Sequence, residues 1–390
     1  MPPQPATVAR LRPFASTIFA EMTELAVRFD AVNLGQGFPD ADGPAGMLEV
    51  ARQAIADGLN QYPPGRGMPV LRRAIADDRA RRYGTVYDPD TQVLVTVGAT
   101  EAISAAILGL VEPGAEVVLI EPYYDSYAAA VALAGARRRT ARLVADGDGF
   151  VLDLDSLRAA ITPATRMLVV NSPHNPTGTV LGRADLQAIA EIACEHDILV
   201  LTDEVYEHLV YDDAEHISLS TLPGMAERTV VVSSAAKTFN VTGWKTGWAC
   251  APAALIDGVL AAKQFMTFVA GGPFQPAVAH ALNNELDWVA GLRDTLSERR
   301  LRLAAALADT GLGVKSSAGG YFVCGDITAL GATDGLAFCR DLPKRLGVAA
   351  VPVSVFADDA AAWNHLVRFT FCKRDETLDE GVRRLRAGGR

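Results

Sequence analysis

The chain has 390 residues, of which 49% are apolar and 21% charged, an ordinary globular composition whose length favours two domains over one. A formal net charge of -10 and a pI of about 5.2 exclude a general affinity for nucleic acid or anionic lipid. The five cysteines (Cys194, Cys250, Cys324, Cys339 and Cys372) are dispersed without CxxC spacing, so they point to reduced thiols in a cytoplasmic protein and give no zinc site. The opening MPPQPATVARLRPF lacks an apolar core, so no signal peptide is expected. The apolar stretch near Ala102–Val111 is too short to span a bilayer.

In chain order, the first 44 residues show no helix or strand of their own and are expected to pack onto a second domain. Met47–Gly58 and Pro69–Tyr83 read as amphipathic helices. Gln92–Val97 is a β-rich run, Thr100–Leu110 a helix and Glu116–Ile120 another strand. The basic run Arg137–Arg139 reads as a solvated edge. Arg166–Val170, Ile198–Thr202 and Thr229–Ser233 repeat the strand pattern, with Arg183–Glu195 helical between them. Short, near-continuous apolar strands alternating with helices predict an α/β domain over residues 45–285. Its mostly parallel central sheet would be covered by helices on both faces. A long helix to about Asp309 follows, then strands over Gly320–Gly325, Val348–Val353 and His365–Phe371. Residues 286–390, joined by 1–44, predict a smaller α+β domain.

Ligands of open α/β sheets bind beyond the carboxyl ends of the strands, and four predicted strand ends carry unusual residues. Lys237 follows a strand among small residues, SSAAK. It is either an exposed charge or, if desolvated or set near another cation such as Lys245, a nucleophile. Asp203 ends ILVLTD and is either a helix N-cap or a buried carboxylate that needs a cationic partner, for which a pyridinium nitrogen is suited. Tyr206 can donate to a ring oxygen or simply fill core. Gly98-Ala99-Thr100 is either a plain strand-to-helix turn or a phosphate cradle at a helix start. Asn175 sits in the proline-stiffened loop SPHNPTG, as a positioning group or an Asx-turn, and His174 beside it reads as a loop histidine. Tyr123 and Tyr124 follow EVVLI, where an aromatic can stack on a planar ring or line core and rim. Arg368 lies inside the apolar strand HLVRFTFC and needs a carboxylate partner, either from the protein or from a substrate. There is no GxGxxG, Walker A or GxSxG stretch, which argues against nucleotide-binding and serine-hydrolase readings. No helix-turn-helix is evident, which argues against a cofactor-binding DNA regulator.

Eight segments in order resemble the fold-type I, class I aminotransferases that use pyridoxal 5′-phosphate. They are NLGQGFPD, NQYPPGRG, VTVGATEA, EPYYDSY, NSPHNPTG, TDEVYEHLVYD, SSAAKTFNVTGWKTGW and VRFTFCKRDETL, and they span nearly the whole chain. Within the family the sequence is most similar to the kynurenine/glutamine subgroup and to actinobacterial N-succinyldiaminopimelate aminotransferases. The resemblance implies that Lys237 carries the cofactor and shuttles the substrate Cα proton. It implies that Asp203 pairs with the ring nitrogen, Asn175 and Tyr206 bond the ring oxygen, and Tyr124 stacks on the ring. Gly98, Ala99, Thr100, Ser234 and Lys245 would form the phosphate site, and Tyr62 would reach the phosphate of a neighbouring subunit in a homodimer with composite sites. Gly37, Asn175 and Arg368 would bind the substrate carboxylate, with Phe19 lining the substrate pocket. Lys245 stands where the aspartate aminotransferase branch has Arg, which selects the kynurenine/glutamine branch. Phe14, Phe19, Phe38 and Phe356 are candidate pocket walls, and Arg66 a candidate partner for a distal carboxylate. The resemblance implies transfer of an amino group from an amino acid to a 2-oxo acid such as 2-oxoglutarate, with the N-succinyldiaminopimelate aminotransferase reaction of lysine biosynthesis as one reading of the donor. Its alternative is a kynurenine-, glutamine- or methionine-type enzyme with cysteine-conjugate β-lyase side activity.

Overall fold

A computed structural model describes residues 7–15 and 17–388. In chain order the strands are β1 (Val32–Asn33), β2 (Val93–Val97), β3 (Glu116–Glu121), β4 (Arg137–Asp146), β5 (Gly149–Leu152), β6 (Thr165–Asn171) and β7 (Leu199–Asp203). They continue with β8 (Thr229–Ser234), β9 (Thr246–Cys250), β10 (Gly313–Val314), β11 (Phe322–Asp326), β12 (Val348–Ala349), β13 (Val351–Pro352) and β14 (Leu366–Thr370). Eight of them form one sheet in the order β2-β9-β8-β7-β6-β3-β4-β5. The run β8-β7-β6-β3-β4 is parallel, while β9 and β5 join antiparallel. The middles of the inner strands are apolar and buried on both faces, as a sheet covered by helices requires. Two separate apolar clusters line those faces, one around Ile103, Val117 and Leu201, the other around Leu168, Ile189 and Val200.

Register makes the site. Asn171 pairs with Asp203 and Asp203 with Val232, so β6, β7 and β8 stop at nearly the same level. Their last residues and the turns after them therefore open onto one edge. Helix α1 spans Ile18–Arg28, α2 Ala45–Ala56, α3 Pro69–Tyr83, α4 Gly98–Leu110 and α5 Asp125–Leu133. α3 begins with proline at its first turn and ends on Gly84 in the left-handed conformation, the usual punctuation of a helix. α4 starts directly from β2 through Gly98 at φ +73°, a value costly for other residues.

A second sheet, β10-β11-β14-β13, packs with the helix Leu286–Asp309 and with Leu34, Phe369 and Phe371 in its own core. The expectation that residues 1–44 hold no helix or strand is overturned. α1 is capped by the Thr17 side chain, and β1 pairs in parallel with β12. Its Met22 and Ala26 are buried against the second core, an amphipathic stripe obscured in the sequence by the polar residues Glu21, Thr23 and Glu24. The single strand expected over Val348–Val353 is two short ones in different sheets. β9 and β5 went unpredicted; Arg137–Arg139, at the start of a strand-like stretch in the sequence, opens β4, with Arg138 paired to Asp358. Among the described residues no helix is long and apolar enough to cross a membrane.

Candidate active site

The strand ends converge on a cavity of about 350 Å³. Lining it are Gly98, Ala99, Thr100, Tyr124, Asn175, Asp203, Tyr206, Ser234, Lys237, Lys245, Gly37, Arg368 and Phe19. These belong to elements as far apart as α1 and β14. Tyr62 lies elsewhere: it is 81% exposed, edge-on to Phe268 at 5.5 Å.

Lys237 is one turn past β8, with its Nζ donating to the Gly37 carbonyl at 2.8 Å. Burial away from water lowers its pKa to about 8, with Arg368 and Lys245 adding cationic repulsion. Tyr321, an unforeseen neighbour, fixes the backbone by donating to the Lys237 carbonyl at 2.9 Å. Asp203 ends β7 and is 4% exposed. Its Oδ2 accepts from Tyr127 at 2.7 Å and its Oδ1 from the Val205 N–H at 3.2 Å. No ion pair reaches it among the described residues, and burial raises its pKa to about 6. A buried carboxylate this poor in positive charge is suited to a cationic ligand. Tyr127 was not singled out in the sequence. Its position one helical turn beyond Tyr124 is a signal that α5 begins at the site.

At the other end of the cavity the first turn of α4 meets Lys245. A Cβ on Gly98 would lie 3.2 Å from the Lys245 Nζ, so the ammonium stands directly over the helix start. Helix N–H groups, the Ser234 segment and an ammonium together form a site for a compact, highly charged anion. Arg368, on β14, is 1% exposed. It donates to Asn175 Oδ1 at 2.7 Å and to the Gly35 carbonyl at 2.8 Å, while its Nε has no partner. Its guanidinium lies over Phe322 at 4.0 Å, Phe356 at 5.0 Å and Phe19 at 5.5 Å. Burial lowers its pKa to about 10, and no carboxylate pairs with it among the described residues. That leaves its outward edge for a carboxylate from outside the chain.

The surroundings refine the other expectations. His174 is buried against Thr177 with its pKa lowered by burial to about 4, and it does not line the cavity. Tyr123 turns away to donate to Asp358. Phe38 and Phe322 join Phe19 at the cavity wall, whereas Phe14 and Phe356 do not reach it. Arg66 pairs with Asp257 on the surface.

The class of protein is defined by these features and by sequence. A model of the family described as aminotransferase class I and II matches residues 30–385, and the chain belongs to that family. It is accordingly a transaminase that depends on pyridoxal phosphate. A protein of Mycobacterium tuberculosis called probable N-succinyldiaminopimelate aminotransferase DapC is 62% identical over 97% of this chain and 98% of its own. The solved structure of N-succinyldiaminopimelate aminotransferase from M. tuberculosis superposes with a TM-score of 0.96 at 63% identity, covering 98% of this chain and all of that one. The methionine aminotransferase of Escherichia coli is 39% identical, covering 97% of both. The cavity fits the cofactor on its own chemistry. It offers an unpaired buried carboxylate, a desolvated lysine and an anion cradle in one space.

Proposed function

We propose that this aminotransferase moves the free amino group of N-succinyl-L,L-diaminopimelate to 2-oxoglutarate, a step of lysine biosynthesis. The similarity to the M. tuberculosis protein supports the donor. The observation that carries the chemistry is the buried Arg368, with which no carboxylate pairs among the described residues, in one cavity with the desolvated Lys237. When bound, pyridoxal phosphate supplies a protonated ring that accepts the electron pair left by the departing α-proton. Asp203 would hold the positive charge at the ring nitrogen. Tyr206, whose hydroxyl has no partner among the described residues, and the Asn175 amide would donate to the ring oxygen. Tyr124 would stack on the ring. Gly98, Ala99, Thr100, Ser234 and Lys245 would bind the phosphate. Arg368 and Asn175, with the backbone at Gly37, grip the substrate carboxylate. This would direct the Cα–H bond towards Lys237 Nζ, positioned to take the proton from Cα and to deliver it two atoms along, to the cofactor carbon beyond the amino nitrogen; a pKa near 8 suits both directions.

Purified protein should absorb as a lysine-bound cofactor, and Lys237→Ala should lose the band; a colourless wild type after incubation with the cofactor would refute the assignment. One observation favours a second donor class. The cations lining the cavity are Lys237, Lys245 and Arg368, and Phe19, Phe38 and Phe322 give it an apolar wall. An apolar donor such as methionine, phenylalanine or kynurenine fits that wall, with β-elimination of cysteine conjugates as a side reaction. The distal carboxylates of the succinylated donor would need cations from a second subunit. A panel of N-succinyl-L,L-diaminopimelate, kynurenine, glutamine, methionine and phenylalanine decides between them, and no turnover of the first removes the lysine-pathway assignment. Pyruvate and ammonia released without an oxo acid would reveal the lyase.

A homodimer with composite sites is part of the proposal. Tyr62, Phe265 at 86% exposure and Phe268 at 50% form an apolar surface where Tyr62 can reach a neighbour's phosphate. A cytoplasmic location is proposed from four buried cysteines, none in a disulfide.

A further inference from the structure

Behind the cavity lies a buried ionic cluster that the chemistry above does not use. The chain after β7 turns tightly, with the Glu207 N–H bonded to the Glu204 carbonyl at 2.8 Å. Residues 203 and 206 therefore face one side and 204 and 207 the other. Asp203 and Tyr206 line the cavity; Glu204 and Glu207, 0% and 1% exposed, do not. Their Oε2 atoms each accept from one nitrogen of Arg79, Nη1, at 2.9 Å. Arg79 is itself 1% exposed and lies on α3, well over a hundred residues earlier in the chain. Its other terminal nitrogen, Nη2, donates to Ser218, and its Nε has no partner among the described residues.

The carboxylates are satisfied on their remaining sides as well. Glu204 Oε1 accepts from Ser218 at 2.9 Å, and Glu207 Oε2 accepts from Tyr83 at 2.8 Å. Glu207 Oε1 accepts from Ser233 at 2.6 Å, and Ser233 precedes Ser234 at the cavity. His216 adds a third potential ligand atom near Glu204 and Glu207, a grouping that resembles a metal site. The cation position between the two carboxylates is already taken by the Arg79 guanidinium, and both acids are held below their ordinary range mainly by that charge against the cost of burial.

A buried ion cluster contributes little net stability compared with apolar packing, so a role in setting local geometry is the reading to test for this one. We propose that Arg79 is a positioning residue for the cofactor ring: it clamps the rear of the Asp203–Glu207 turn and so sets the two side chains on its front. The rigid planar fork is essential to this, because one nitrogen must meet two carboxylates while the other holds Ser218. The proposal rests on the reading that Asp203 and Tyr206 hold the ring.

The test uses the holoenzyme and three variants: Arg79→Lys, Arg79→Met, and the charge-neutral triple Arg79→Met/Glu204→Gln/Glu207→Gln, which leaves no unpaired buried acid if Arg79→Met does not fold. Cofactor affinity, the pH midpoint of the cofactor absorbance and the melting temperature are measured together. Folded variants should bind the cofactor about 10- to 100-fold more weakly, with a shifted absorbance midpoint. Arg79→Lys, which keeps the charge but not the fork, should do so at a melting temperature close to wild type. Wild-type affinity and midpoint in any folded variant would overturn the proposal, as would an affinity loss that merely follows melting temperature. Asp203→Asn and Tyr206→Phe run in parallel: if they leave affinity and midpoint unchanged, the underlying reading of the ring site fails, whatever Arg79 does.

Discussion

At the scale of single residues, the site works because charges are buried without their complements. Asp203 illustrates the cost. Its carboxyl has a pKa raised from 3.8 to about 6 by desolvation, so the folded state holds the proton more tightly than the unfolded chain. The apoprotein therefore gains stability from this group fully below pH 4 and loses it as pH rises through 6, by at most about 3 kcal/mol. Asp203→Asn should accordingly raise the melting temperature of the apoprotein at pH 7 and not at pH 4, while sharply weakening cofactor binding. Equal melting shifts at both pH values would contradict this. Arg368 faces the opposite way: an unpaired cation, held by Asn175 and three aromatic rings, that waits for a carboxylate. Arg368→Lys loses the planar fork, so KM for the amino acid should rise about 10- to 100-fold, with cofactor absorbance unchanged in the absence of substrate. Lys237→Ala should lower kcat by at least about three orders of magnitude, measured by oxo-acid formation.

At the scale of elements, helix α4 links the phosphate cradle to the body of the protein. Its N-terminus supplies the anion site, and further along it packs backbone to backbone against the helix Ala253–Lys263. A Cβ on Gly109 would come within 2.1 Å of the Gly258 carbonyl oxygen, closer than any real contact. Gly109→Ala should push the two helices apart and destabilise the fold by about 2 kcal/mol or more in chemical denaturation. Little loss would mean that the helices slide freely. At the far side of the cavity Gly37 does similar work, because a Cβ there would lie 2.3 Å from the Phe322 ring. The small residue lets its carbonyl come close enough to accept from Lys237.

For the whole molecule, the loop after α2 and the segment after Ala253–Lys263 belong to one surface. Lys263 is buried and donates to the carbonyls of Gly65 and Phe268 at 3.0 and 2.5 Å, binding the Tyr62 loop to the Phe265–Phe268 segment. If that surface joins two subunits, Phe265→Asp/Phe268→Asp should give monomers by sedimentation and lower cofactor affinity about tenfold or more, because a charge would be buried in an apolar interface. A dimer that persists with both aspartates would place the interface elsewhere.

Much of this was present in the sequence because it is local. Apolar runs such as VLVTV and ILVLT are strands wherever they occur in such a chain, and proline at 69 with glycine at 84 brackets α3. The strand ends carrying Asp203, Asn175 and Lys237 were legible because polar residues at the edge of an apolar run demand a reason. α1 and β9 were not, since their stability comes from partners distant in the chain, β12 for the segment following α1, and β2 and β8 for β9. The same holds for Tyr127 and Tyr321, which look like ordinary aromatics until Asp203 and Lys237 lie against them. By itself, then, the sequence determined which side chains could do the chemistry and which family's order they follow. Only the tertiary structure decided that, among the described residues, no carboxylate pairs with Arg368 and no cation pairs with Asp203, and that Arg79 stands behind the turn. Burial and pairing depend on contacts across hundreds of residues, and no local pattern encodes them.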